Sequence, residues 1–537
     1  MKITVSEQDT GVEVAVIDSD SQGRFSIDVP PGEYALAFAS SAAYAYGEHF
    51  KAPAHDVAVK LSADCNKIRG HVTGPVAVPA SVKFIRLSTF VADRFVVPIA
   101  ADGSFAFCLP SGRYAALVDG AMISQASAVT LAGVGEIRLE AYDRKTIETA
   151  PARVPEIPSA LDALVQRLKS GPRVLGLGES NHGTGEFYTY RGQLSLELAR
   201  TGDLRLVLLE ADAIEMMAID DYANGADIDI ANAVAKLRFW ITDIKEFHDF
   251  LNAVRTYNAG VPMERRVHVL GIDAQSTESP VSFLASHQAE LGVSEAEIAL
   301  LRRIAVDHGA AFPSLSREDS EALTRLLDRL GAAQAKHGIA SLNARARIAA
   351  RSIRHQLGYV GNSGDDLRDA AMADLAAQII EIAGTGQTSI WGHNGHMAGE
   401  PDGIIKSLGQ YLSERFGDDY YPIAFFSYEG SARAWDDKGT VGVISHALRP
   451  TEGSNLESVI MRATGFPDVA WVDLDTTNPA LKSWLALPRY VREFGSAYTP
   501  GHTQTLRKFP QSFRAVVVIK HASSSTATPT GERHAKP

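Results

Sequence analysis

Val174-Leu175-Gly176-Leu177 runs straight into Gly178-Glu179-Ser180-Asn181-His182-Gly183-Thr184. A short apolar run that breaks at glycine into ionisable residues reads as a buried strand handing its loop to the edge of a sheet. The run does not alternate with polar residues, so both of its faces are expected to be covered, as in a mainly parallel sheet flanked by helices. Working outward from 173–177, six further runs of this kind follow at 205–209, 268–272, 389–391, 422–426, 469–472 and 516–519. Helical periodicity fills the intervals, for example over 161–169, 192–201 and 244–257. Residues 282–383 carry no strand signal and are expected to form a helical insertion, a cap over a site. Residues 159–521 are thus read as one α/β domain.

In such sheets ligands bind beyond the carboxyl ends of the strands. Those positions hold Glu179 and His182 after the first run, Glu210 after the second, Asp273 after the third, and Gly392-His393-Asn394-Gly395-His396 after 389–391. Two glutamates and three histidines therefore converge on one edge, with Arg191 in the next helix, a set suited to general acid–base chemistry. Taken singly, either glutamate could serve as a helix N-terminal anion, and the histidine pair could be polar packing. Other motifs fail. After Gly176 and Gly178 the next glycine is Gly183, so no dinucleotide fingerprint forms. Ser180 lacks the closing glycine of a nucleophile elbow. Asp220, Asp221, Asp227 and Asp229 lack calcium-loop spacing.

The first 142 residues are strand-and-turn chemistry, and they repeat. Gln22-Gly23-Arg24-Phe25 matches Asp102-Gly103-Ser104-Phe105, Pro31-Gly32-Glu33-Tyr34 matches Ser111-Gly112-Arg113-Tyr114, and Val57 and Val59 match Ile137 and Leu139. The common offset of 80 predicts two small tandem β-sandwiches, 1–62 and 63–142, the first incomplete because the strand near 67–73 has no counterpart in it. A proline-bearing linker is expected over 143–158, and a disordered Ser/Thr/Pro-rich tail over 522–537.

Composition narrows the partners. Sixty-four acidic against 52 basic side chains give −12, which argues against a nucleic-acid ligand held through its phosphates. No run of about 18 apolar residues exists to span a bilayer. Two cysteines, Cys65 and Cys108, make neither a disulfide scaffold nor a four-cysteine zinc site, and are read as reduced, buried thiols, with a disulfide between them the alternative if the protein is exported. The chain opens without an apolar export segment and reads as cytoplasmic as given; an exported protein is the alternative if its amino terminus has been trimmed.

The repeat, Gly-x-Phe followed by Pro-x-Gly-x-Tyr, resembles the carboxypeptidase regulatory-like (transthyretin-like) sandwiches. The larger domain resembles the erythromycin esterase family: Gly178-Glu179-Ser180-Asn181-His182-Gly183-Thr184 with Glu186-Phe187 and Arg191, Leu208-Leu209-Glu210-Ala211, Phe239-Trp240, Arg255-Thr256-Tyr257-Asn258, Gly271-Ile272-Asp273, Arg368-Asp369, Trp391-Gly392-His393-Asn394-Gly395-His396, Tyr428-Glu429-Gly430 and Trp484 follow its order. That resemblance implies hydrolysis of a carboxylic ester or lactone by activated water, without a covalent nucleophile. It makes His182 the general base, Glu179 and Glu210 the groups that orient it, and His393, His396 and Arg191 the groups at the ester carbonyl. Ser180, Asn181, Asp273 and Tyr428 would meet the substrate. Ser180-Asn181 and Asp212 depart from the macrolide pattern, so a natural-product, peptide or glycan-linked ester is expected rather than a macrolide. No cofactor is expected; a divalent ion at the His/Glu cluster is the alternative. Acyl transfer or ring closure, or an inactive glycan-binding surface protein, are the competing functions.

Overall fold

The computed structural model describes residues 2–534, apart from 8–12, 75, 87–93, 119–120, 124–128, 132–134, 150–160, 307–313, 335–337, 359–364, 385, 400–405, 437–440, 452, 475–478 and 500–502. Most of the expected linker falls outside the described residues. Seven strands form the main path of the nine-stranded central sheet: β1 (Val174–Leu177), β2 (Leu204–Asp212), β3 (His268–Asp273), β4 (Gln387–Trp391), β5 (Tyr420–Asp436), β6 (Val469–Asp473) and β7 (Ala515–Ala522); two more, Val443–Leu448 and Ala497–Tyr498, pair with the far end of β5. All seven lie on the apolar runs. Their order is β3-β2-β4-β1-β5-β7-β6. Along this path every neighbouring pair is parallel except β6 with β7, an antiparallel edge.

Alternate side chains feed two cores, which explains why the strands read as continuously apolar. Val174, Leu206, Leu208, Leu270, Ile272, Val516 and Val518 enter one core. Leu175, Leu177, Val207, Leu209, Val269, Val517 and Ile519 enter the other. The expected insertion is helical among its described residues. It is less a detached cap than a part of the flanking layer, since Ile298, Leu323, Ile353, Leu375 and Ile379 share the first core with the strands.

Register places the site. Leu177 of β1 pairs with Trp391 of β4, and Trp391 pairs with Leu209 of β2. Leu177, Trp391 and Leu209 therefore lie level, β1 and β4 ending there while β2 runs on to Asp212, and the residues that follow them emerge side by side. Behind them the chain end does not behave as the disordered tail expected from its composition. Ser523–His534 is described and docked: Gly185 N–H donates to the Ser523 carbonyl at 3.0 Å and Ser525 N–H to the Gly183 carbonyl at 2.8 Å. Thr526 N–H donates to Glu246 at 3.0 Å. Backbone hydrogen bonds to two loops overrode a polar composition.

The repeat is visible in atomic detail. Tyr34 and Tyr114 each donate a hydroxyl hydrogen bond to the carbonyl four residues back, Pro30 and Pro110, both at 2.9 Å. Gly23 and Gly103 occupy the same left-handed turn position, φ 80° and 87°, where a side chain would be strained. The second copy forms two four-stranded sheets, with Asn66–Thr73 bonded antiparallel to Ser104–Leu109 and parallel to Gly135–Asp143. The first copy forms only one, ordered Glu13–Asp18, Lys2–Glu7, Gly32–Ala39, Tyr44–Ala52. The segments 24–29 and 57–61, counterparts of the second sheet, join no ladder although Phe25, Ile27, Val29, Val57 and Val59 still pack on its core. The strand that would join them has no counterpart in residues 1–62.

The reading of two reduced thiols is corrected. Cys65 and Cys108 form a disulfide, with Cα atoms 5.5 Å apart, a distance inside the usual range. Lys67 pairs with Cys108 across the ladder, so register brings Cys65 alongside. With the two cysteines 43 positions apart in sequence, loop closure predicts that Cys108→Ser costs the second sandwich about 4 kcal/mol, or less where strain intervenes. Urea unfolding with and without reductant checks this; identical midpoints would contradict it.

Candidate active site

The loop after β1 is built by its own side chains. Asn181 Oδ1 accepts from Gly183 N–H at 3.1 Å and from the Thr184 hydroxyl at 3.0 Å, which curls the loop into the helix Gly185–Thr201. Gly183 is required by packing: a Cβ there would stand 1.7 Å from the Arg433 carbonyl. Asn394 N–H donates to the Glu179 carbonyl at 2.8 Å, which ties this loop to the one after β4.

Glu179 is the hinge of the cluster. Its Oε1 lies 2.8 Å from His182 Nδ1, and its Oε2 accepts from Arg191 Nη2 at 2.5 Å. Burial alone would raise the Glu179 carboxyl, but the Arg191 charge and the His182 hydrogen bond offset it and hold the group below its ordinary range. An ionised Glu179 places the ring hydrogen of His182 on Nδ1, leaving Nε2 with a free lone pair. Arg191 is 1% exposed, donates also to the Phe187 carbonyl at 3.1 Å, and stacks between Tyr188 and Trp391. The expectation that it meets the ester carbonyl is therefore corrected. Its donors go to Glu179 and the backbone, and it fixes that carboxylate.

Glu210 organises the second half. Its Oε2 accepts from His393 N–H at 3.1 Å, and its Oε1 accepts from Arg368 Nη2 at 2.9 Å and lies 3.2 Å from His396 Nε2. Burial pushes it upward, yet His396 and Arg368 hold it well below the ordinary range. His396 sits between Glu210 and Asp369, whose Oδ1 is 2.6 Å from Nδ1. Burial would lower its pKa, but the two carboxylates carry it well above the ordinary value, making it an imidazolium. His393 is the opposite case: burial pushes it down, against the attraction of Glu493. Gly395 N–H donates to its Nδ1 at 3.2 Å, so the ring hydrogen sits on Nε2, which faces the Phe494 carbonyl at 3.3 Å. The rings of His182 and His393 are 5.4 Å apart.

The structure thus brings Glu179, His182, Arg191, Glu210, His393 and His396 together. The four residues expected at the substrate fare differently. Ser180 and Asn181 are each 1% exposed and shape the loop. Asp273, fully buried, accepts from Arg368 Nη2 at 2.6 Å and holds that guanidinium. Tyr428 packs its ring on Phe466, 5.7 Å away, and no hydrogen bond joins it to the histidines among the described residues. Sequence reasoning missed Arg368 and Asp369 as site residues, although both lay in a quoted motif at the start of a helix, Asp365–Ala383. It also missed Glu493 and Arg507, which no local pattern marks.

Between the two halves lies a small, partly open pocket of about 20 Å³, lined by Glu179, His182, Arg191, Glu210, Thr242 and Trp391 among others. That is room for one water molecule. Among the described residues no group of three or more His, Cys, Asp and Glu is arranged to hold a metal ion.

A further buried carboxyl lies nearby. Glu457, fully buried on the helix Leu456–Ala463, accepts from Arg492 N–H at 2.6 Å. Burial pushes its pKa up from 4.5 to about 7. A raised folded value means full stability below 4.5, lost as pH rises through 7. Glu457→Gln is expected to stabilise the protein by up to about 3 kcal/mol at pH 8 and to be neutral near pH 4.5. Thermal midpoints across that range decide it.

The mainly parallel α/β sheet thus carries a histidine–carboxylate cluster at its carboxyl edge. The chain belongs to the erythromycin esterase family, whose model matches residues 201–522. That match begins after the Glu179–His182 loop, so the loop's assignment rests on its geometry. A candidate hydrolase of Bacillus subtilis (strain 168), YbfO, is 26% identical over 168 residues, 30% of this chain and 35% of that protein. The match therefore spans about a third of this curated relative. A crystallised Bacillus cereus protein shares the fold with a TM-score of 0.58 at 21% identity, covering 72% of this chain and 100% of that one. A succinoglycan biosynthesis protein does so at 0.55 and 18%, covering 72% and 97%.

Proposed function

We propose that this protein hydrolyses a carboxylic ester or lactone by direct attack of water, with His182 as the general base. The observation that carries this is the relay Arg191–Glu179–His182, which directs the basic lone pair of His182 outward beside a one-water cavity. Water oxygen adds to the carbonyl carbon as His182 Nε2 takes its proton. The oxyanion forms opposite the partly exposed Arg368 guanidinium, a charge that Asp273 and Glu210 hold in place without reorganisation, while His396, both of whose ring nitrogens face carboxylates, supports that arrangement without touching the oxyanion. Collapse breaks the bond to the alkoxide, which leaves with the proton from His182. Glu210 keeps His396 charged and holds the His393 backbone.

A natural-product, peptide or glycan-linked ester fits the polar surroundings. A panel of such esters and lactones tests the reading: turnover in ¹⁸O-water should place one label in the acid product, with no acyl-enzyme by mass spectrometry. Added alcohol or amine should not divert the product; diversion would assign acyl transfer. Chelator should leave the rate unchanged, whereas a loss restored by Zn²⁺ would assign a metal-bound hydroxide. The Cys65–Cys108 bond supports an exported address, since structural disulfides persist in oxidising compartments; fractionation of the native host checks it. No helix among the described residues is long and apolar enough to cross a membrane.

A further inference from the structure

One short segment touches both histidine loops. Phe494 N–H donates to the Ser180 carbonyl at 2.8 Å, inside the Glu179–His182 loop, and the Phe494 carbonyl faces His393 Nε2 at 3.3 Å. Its neighbour Glu493 is 5% exposed and stands 3.6 Å from His393 Nδ1. Arg507 grips that carboxylate with two hydrogen bonds, Nε to Oε2 at 2.5 Å and Nη2 to Oε1 at 2.6 Å. Such a planar, bidentate pair fixes geometry as well as charge.

Glu493 follows the first strand and Arg507 closes the second strand of a two-stranded antiparallel ribbon, Arg489–Arg492 with Gln504–Arg507, so the Arg507 side chain reaches along the ribbon to Glu493. The ribbon is not part of the central sheet. Its other side is covered by the second β-sandwich. Leu506 forms an apolar cluster with Tyr142 and Ile147, from the last sandwich strand and the short helix after it. Arg489, 3% exposed, donates through Nη1 to the Ile147 carbonyl at 3.1 Å. Lys508 pairs with Glu140 of the same sandwich strand. A continuous path of contacts therefore runs from the sandwich strand Gly135–Asp143 through the ribbon to Glu493–Phe494, and from there to His393 and the His182 loop.

We propose that the second sandwich is a positioning module for the active site rather than a spacer, and that Glu493 is the positioning residue through which it acts on His393. The sandwich seats the ribbon, the Glu493–Arg507 pair sets the depth of Phe494, and the Phe494 carbonyl, opposite Gly395 N–H at Nδ1, holds the His393 hydrogen on Nε2, while Glu493 sets the charge beside the ring. This rests on the hydrolytic reading only for what His393 is positioned to do. Catalytic geometry tolerates little displacement: a shift of about 1 Å costs roughly 10²-fold in rate.

The test uses the full-length chain. Leu506→Ala and Lys508→Met, both at the sandwich–ribbon contact, are expected to lower kcat about ten- to a hundredfold with KM changed less than threefold. Glu493→Gln is expected to do the same and to shift the pH profile of kcat. Val82→Ala, in the sandwich core far from the ribbon, should lower the thermal midpoint and leave kcat at 25 °C unchanged. ¹⁵N-histidine spectra supply a second readout that needs no substrate: the wild type should show His393 as the Nε2–H form, and Leu506→Ala should mix it with the other tautomer. Should the wild type turn over no ester, the proposed function fails and the spectra alone judge the positioning. Contact variants with lowered midpoints but wild-type kcat and an unaltered His393 spectrum would overturn it. If Leu506→Ala does not fold, Lys508→Met, which removes a partly exposed pair, carries the same comparison.

Discussion

His182→Ala is expected to abolish measurable turnover, a loss of at least 10²–10⁴-fold, with the thermal midpoint within a few degrees of wild type. The two halves of that expectation come from different bonds. The chemical loss follows because, among the described residues, no other imidazole of the cluster leaves a ring nitrogen unengaged beside the small pocket. His393 has its Nδ1 occupied by Gly395 N–H, and His396 is held as a cation by two carboxylates. The fold survives because the loop does not hang on this side chain. Gly183 O accepts from Arg433 N–H at 3.0 Å as well as from Ser525, and Asn181 pins the turn from within. Glu179 keeps Arg191 when the ring is removed, so no unpaired charge is buried. His182→Gln should be as inactive as alanine, since an amide fills the space without accepting a proton. Steady-state rates beside a denaturation curve check both halves; a variant within threefold of wild-type kcat would move the base elsewhere.

The fold was legible because buried parallel strands announce themselves. Seven short apolar runs needed no tertiary information, and the residues just past them fell at the site because the register sets Leu177, Leu209 and Trp391 level. What escaped was long-range pairing. Arg191 sat in the right motif, yet only the structure shows its donors turned inward to Glu179. Ser180 and Asn181 sit between Glu179 and His182 but point into the loop. Glu493 and Arg507 lie in a ribbon that meets the site only through the fold, the contact of Phe494 with His393 spanning 101 residues of sequence, and nothing local distinguishes them from surface charges. The tail misled for a related reason: its composition is that of a disordered segment, and its order comes from backbone bonds to loops some 280–340 residues distant.

Arg191→Met should be the most destabilising single change at the site. Glu179 is 3% exposed and Arg191 1%, and removing one partner of a buried pair leaves an uncompensated charge costing about 3–5 kcal/mol. The pH dependence gives the sign. In the wild type Arg191 holds the Glu179 pKa below 4.5, so the pair's stabilisation is present above that value and is lost as pH falls through the depressed one. Without Arg191 burial dominates and the carboxyl moves upward. The variant should then be relatively better at acid pH and lose stability as pH rises, the reverse of the wild type. Activity falls with it, because a protonated Glu179 no longer fixes the His182 hydrogen on Nδ1. The double variant Arg191→Met/Glu179→Gln separates the two effects. It removes both charges, so most of the lost stability should return, as it does when buried ion pairs are replaced together. Turnover should not return, since a neutral amide cannot stabilise the imidazolium formed as water attacks. Urea unfolding of wild type, both single variants and the double at pH 5 and pH 8 closes the cycle. Equal stability of Arg191→Met and wild type at pH 8 would show that Glu179 does not depend on this arginine for its charge.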